Sequence, residues 1–184
     1  MLESKSDEIL KKIPQNSIIF LWGMPGSGKT TIGKQLAKQL NCDFIDLDDY
    51  IIEKESKTIS QIFQQQGESH FRNLETISLE NIIKTNINSQ IIIATGGGTP
   101  CFNENALLML NSGFCIFLNI DLDILTTRII NDIENKRPLF TNKTNLEIKN
   151  LIFNLYENRF EYYKNAHFTV YSEENNKSLI ISKL

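Results

Sequence analysis

At 184 residues the chain has length for one well-cored domain and is too short for two of ordinary size. Its formal charge of −3, with Lys and Arg scattered, supplies no sustained basic face and argues against a nucleic-acid binder. Three cysteines without metal-ligand spacing read as reduced thiols, and no stretch holds the ~18–20 apolar residues of a membrane span. The acid-bearing N-terminus lacks the apolar core of a signal peptide, so a cytoplasmic setting is expected, with neither nucleic acid nor membrane as partner.

Residues 1–16 read as a polar leader and 17–184 as a single domain. Residues 17–22 (SIIFLW) form an apolar run of strand length, followed at once by glycines. A helix is expected over Lys29–Leu40, where Ile32, Leu36, Ala37 and Leu40 recur at helical spacing. A short strand at 43–47 follows, then a helical stretch over 48–87 interrupted near 56–59 and at Gly67. Residues 90–94 (QIIIA) make a buried strand that runs into Gly96, Gly97 and Gly98. Another strand lies at 114–119, with a helix from 121 to 131. Residues 132–145 are polar and aperiodic around Arg137 and Pro138, as an exposed loop would be. A helix over 146–164, a strand at 167–171 and a closing helix complete the chain.

Strands that are apolar throughout and alternate with helices indicate an α/β fold with a parallel sheet covered on both faces. Ligands of such sheets bind beyond the carboxyl ends of the strands. Chemistry is therefore expected just after Trp22, Ile45, Ala94 and Asn119.

Gly23 to Thr30 (GMPGSGKT) matches G-x-x-x-x-G-K-[ST], between a strand and a helix. Glycines let backbone amides turn inward around phosphate oxygens, and the helix start presents its free N–H groups to the same anion. Lys29 would supply a point charge to the β- and γ-phosphates, and the Thr30 hydroxyl could ligate Mg²⁺. The bland alternative is a glycine turn that merely joins strand to helix. The motif points to a nucleotide and is silent on what receives the phosphoryl group.

Acceptor chemistry has to be sought elsewhere. Asp46, Asp48 and Asp49 follow the second strand, where one carboxylate could hold the hydration shell of Mg²⁺ and another could take a proton from an attacking hydroxyl. Asp48 or Asp49 could instead be a helix cap. The three glycines suit a ligand that must touch the backbone, or simply a flexible turn. Arg72, Arg137 and Arg159 could grip an anionic acceptor in bidentate fashion, or sit solvated on the surface.

Taken in order, GMPGSGKTT, FIDLDDYI, IFQQQGESHFRNLE, IIIATGGGT, NKRPLF and YENRFEYYKNAHF resemble the shikimate kinases, from about residue 18 to 170. The resemblance implies a three-layer α/β/α P-loop fold with a five-stranded parallel sheet, a helical substrate-binding segment at about 48–87 and a mobile lid at about 132–145. It implies ATP as co-substrate, held by Gly26, Ser27, Gly28, Lys29, Thr30, Thr31 and Arg137, with Mg²⁺ on Thr30 and, through water, on Asp46. Shikimate would be bound by Asp48, Arg72, Gly97 and Arg159. Asp48 would be the base, and Lys29 and Arg137 would offset charge as the bridging oxygen leaves. A monomer is expected. Two alternatives stay open: another small-molecule kinase of this fold, such as a gluconate kinase, and a nucleotide-binding regulator without turnover. The first need not carry the aspartates, Phe-Arg and triple glycine together, and the second usually loses Lys29, Asp48 or an anchoring arginine.

Overall fold

Ile18–Trp22 (β1) is buried at every position, which is why its sequence shows no alternation: it lies at the centre of the sheet with both faces covered. The structure, a computed structural model, describes residues 13–131 and 138–172. Around β1 the order is β2-β3-β1-β4-β5, with β2 at Asp43–Asp46, β3 at Ile91–Ala94, β4 at Gly113–Asn119 and β5 at Phe168–Tyr171. All four pairings are parallel.

Strand side chains alternate between faces, so the apolar runs feed two cores. Ile19, Leu21, Ile92, Ile116 and Leu118 point to one, where Ile32, Leu36 and Ala37 of α1 (Lys29–Leu40) cover them. Phe20, Trp22, Ile91, Ile93 and Phe117 point to the other. That face is covered by α2 (Leu47–Glu55), α3 (Ile59–Thr85), α4 (Asn105–Ser112), α5 (Leu122–Asn131) and α6 (Asn145–Tyr163), through residues such as Ile51, Phe71, Leu79, Met109, Leu125, Ile152 and Tyr163. Three layers result, as expected.

The break expected near 56–59 falls between α2 and α3, where Ser56 is left-handed and Thr58 opens α3 with a reciprocal capping box to Gln61. Gly67 interrupts α3 with φ 83° and ψ 171°. Thr144 and Glu147 form the same kind of box at the start of α6.

Two features differ from expectation. The helix α4 and the 3₁₀ turn Thr99–Cys101 occupy a stretch in which no element was foreseen, yet a parallel β3-to-β4 connection needs such a crossover. Ile13, placed within the polar leader, is only 7% exposed and packs on the α1 side of the sheet, so the packed chain begins ahead of residue 17. One isoleucine in a polar run finds the same apolar face that α1 covers. The remainder of the leader, the closing helix beyond residue 172 and residues 132–137 of the expected lid lie outside the described residues.

Candidate active site

The carboxyl end of β1 leads straight into the phosphate loop. Gly28 caps α1 in the left-handed region with no side chain on the first turn, so the opening amides of α1 face the loop. Lys29 is buried, and its ammonium donates to the carbonyls of Gly23 at 2.9 Å and Met24 at 3.0 Å and reaches Ser27 Oγ at 3.4 Å. Ser27 is itself buried and its amide donates to the Met24 carbonyl at 3.1 Å. Thr30 and Thr31 stand exposed at the head of the helix.

Asp46 ends β2 and resolves the question of the cap. Its Oδ1 accepts from the Asp48 amide at 3.1 Å, so Asp46 rather than Asp48 or Asp49 caps α2. Its Oδ2 accepts the Thr30 hydroxyl at 2.7 Å, tying β2 to the phosphate loop. A hydroxyl and a carboxylate this close are hard oxygen donors, few enough to leave positions for phosphate and water, which is how Mg²⁺ is usually held. The residues present therefore fit the ion.

Asp48, half-buried, lies against the triple glycine: a Cβ at Gly96 would stand 3.2 Å from its Oδ1. A Cβ at Gly97 would meet Pro25 Cδ at 2.7 Å, so only glycine lets this turn pack directly on the phosphate loop. The Tyr163 hydroxyl donates to the Gly97 carbonyl from the end of α6 and accepts from Arg159 one turn earlier.

Arg72 projects from α3 into the same region. Its NH1 donates to Glu75 Oε2 at 2.6 Å, and its Nε and NH2 to Glu68 Oε1 at 3.2 and 2.9 Å. The charges of Arg72 and Arg159 both act on Cys101, Tyr163 and Glu75, so both guanidiniums lie near the same three groups. Burial pushes the Cys101 thiol up to about 11, which keeps it protonated at neutral pH and makes it a packed thiol rather than a nucleophile.

Comparison with known proteins decides the family. A family model described as shikimate kinase matches residues 25–184. The shikimate kinase of Azobacteroides pseudotrichonymphae is 42% identical over 166 residues, covering 90% of this chain and 96% of that protein. The chain belongs to the shikimate kinase family.

Solved structures of the family agree. The crystal structure of shikimate kinase from Bacteroides thetaiotaomicron superposes with a TM-score of 0.82 at 36% identity, covering 91% of this chain and 93% of that one. Shikimate kinase from Acinetobacter baumannii, in complex with shikimate, superposes with a TM-score of 0.80 at 27% identity, covering 96% and 93%. The α/β fold with its five-stranded parallel sheet is that of the shikimate kinases. Arg137 lies outside the described residues; just beyond it, Phe140 is buried in the main core.

Several polar groups in this shikimate kinase site were not singled out from sequence. Glu75 is completely buried, holds Arg72 and accepts the Thr99 hydroxyl. Arg128, on α5, donates to the Gly26 carbonyl at 3.1 Å. The spacing Arg72–Glu75 was the available signal, since residues three apart share a helix face.

Burial pushes the Glu75 carboxyl above its ordinary range, while Arg72, Thr99 and Arg159 pull it back. A carboxyl whose folded value is raised contributes stability that is complete below the unfolded value and is lost as pH rises through the folded one. Arg72→Ala removes the strongest counter-pull and raises Glu75 further. Its melting temperature should therefore fall further below that of the parent at about pH 8 than at about pH 5, by on the order of 5 °C or more at the higher pH. An equal deficit at both values would contradict this account of Glu75.

Proposed function

We propose that the chain transfers the γ-phosphoryl group of ATP to the 3-hydroxyl of shikimate, giving shikimate 3-phosphate and ADP, as a cytoplasmic monomer. The observation that carries this is the contact between the two halves of the site. The triple glycine packs on the phosphate loop at Pro25, with Asp48 against Gly96, Arg72 against Gly98, and Arg159 bonded to the Tyr163 hydroxyl that holds the Gly97 carbonyl. A small ring with one carboxylate and three hydroxyls needs that set of partners.

In this reading the amides of Gly26, Ser27, Gly28, Lys29, Thr30 and Thr31 wrap the ATP phosphates, and Lys29 adds its charge. Thr30 and, through water, Asp46 would hold Mg²⁺, whose chemistry when bound is to neutralise the charge of the phosphates. Arg72 and Arg159 hold the shikimate carboxylate, and the Gly97 amide holds a hydroxyl. Asp48 takes the proton of the attacking hydroxyl as its oxygen bonds to the γ-phosphorus. The bond from that phosphorus to the bridging oxygen breaks, and the electron pair leaves with ADP. Residues 48–87 act as the substrate-binding segment, and 132–145 as the lid that brings Arg137 over the phosphates and excludes water.

ADP release should rise with shikimate and stay at background with gluconate. Turnover of gluconate alone would move the chain to another acceptor, and no turnover with either would leave a nucleotide-binding regulator. Arg72→Ala should raise KM for shikimate roughly ten- to a hundredfold, the range for a lost charge-assisted contact, with KM for ATP little changed. Equal losses for both substrates would mean that Arg72 does not face the acceptor.

A further inference from the structure

The segment that follows the triple glycine is built around Arg72. Gly98 sits so close that a Cβ there would lie 2.8 Å from NH1 and 2.9 Å from NH2 of Arg72. Thr99 opens the 3₁₀ turn and donates to Glu75, the carboxylate that holds NH1. Phe102 then lays its ring 4.2 Å from the guanidinium carbon of Arg72. Asn103 and Glu104 are both left-handed, with φ of 49° and 57°. Two such residues in succession are costly and persist only where surrounding bonds hold them. Those bonds are present. The Asn103 side-chain amide donates to the Arg72 carbonyl at 3.2 Å, to Asn73 Oδ1 at 3.2 Å and to Thr76 Oγ1 at 3.1 Å. The buried Asn105 amide closes the turn on the Thr99 carbonyl at 3.1 Å.

We propose that Phe102 is a positioning residue for acceptor binding: its ring, clamped to α3 through Asn103, fixes the plane of the Arg72 guanidinium before the acid arrives. This rests on the acceptor reading given above. A guanidinium stacked on an aromatic face turns its plane toward the ring and leaves its N–H edges, which point sideways, to bind a carboxylate in bidentate fashion. An arginine already immobilised loses less rotamer freedom on binding. The Nε and NH2 edge is occupied by Glu68, whose side chain is 57% exposed. Glu68 is the exposed partner of this pair, so it gives up little when an incoming carboxylate takes its place on Arg72. Phe102 is itself 37% exposed, and its replacement should leave the core intact.

The test is a series at this position, Phe102→Ala, Phe102→Leu and Phe102→Tyr. Ala and Leu should raise KM for shikimate roughly three- to tenfold, with kcat and KM for ATP within about twofold of the parent, and Tyr should restore parental behaviour. A Leu variant equal to the parent, or a parallel rise in both KM values, would overturn the proposal. The second readout needs no turnover: the rate at which phenylglyoxal modifies Arg72 in the free protein, followed by peptide mass. Ala and Leu should speed that reaction several-fold and Tyr should not; equal rates throughout would also overturn the proposal. If the parent released no ADP with shikimate while the labelling rates shifted as stated, the acceptor reading would fall and the ring's hold on Arg72 would stand.

Discussion

Lys29→Met is expected to lower kcat by about 10³-fold or more, the scale on which one preorganised charge at a transferring phosphoryl group acts. The ammonium sits inside the loop and is positioned by the Gly23 and Met24 carbonyls before nucleotide arrives, so its aim costs nothing at the moment of reaction. Methionine fills a similar volume without charge or donors. The Met24 carbonyl keeps the Ser27 amide as a second partner. The fold should therefore lose only about 1 kcal/mol, for the hydrogen bonds removed. Steady-state rates and a melting curve on the same preparation separate the two effects. A folded variant with parental kcat would remove Lys29 from the charge role.

Asp48→Asn should cut kcat by about 10²- to 10⁴-fold, the usual contribution of a positioned general base. Asparagine keeps the shape and can still accept a hydrogen bond from a hydroxyl, so KM for shikimate should change far less than kcat. That split is what distinguishes a proton acceptor from a mere anchor. Asp46, which makes the cap and holds Thr30, is untouched by this change, so α2 should stay in place. A rise in KM with kcat unaltered would make Asp48 an anchor only.

The sequence made the sheet legible because β1 and β3 are buried on both faces and had to be apolar throughout. The phosphate loop was legible for a different reason: its backbone shape dictates glycines at fixed spacing. Helix α4 was not. Its eight residues (NALLMLNS) are mostly apolar with only two buried, and no side chain caps its start, so neither period nor cap marks it. The cap at Asp46 was ambiguous because three aspartates stand within four residues, and only the folded backbone selects one.

Glu75 and Tyr163 were hidden for a related reason. Each has one partner on its own helix, Arg72 for Glu75 and Arg159 for Tyr163, but a second that is distant in sequence: Thr99 for Glu75, the Gly97 carbonyl for Tyr163. Their burial is what the fold adds. A completely buried carboxylate is tolerable because Arg72 and Thr99 satisfy it. Arg72 is correspondingly bound up in the architecture of the site and not only in its ligand. This is why its removal should show in the melting temperature as well as in KM.

The most direct measurement is the identity of the phosphorylated product. Purified protein, ATP, Mg²⁺ and shikimate should yield ADP and a single new phosphomonoester by ³¹P NMR, with coupling that places the phosphorus on the 3-hydroxyl. ATP turned over to inorganic phosphate alone, or a phosphomonoester at another position, would contradict the assignment of Asp48, Arg72 and Arg159 to that acceptor.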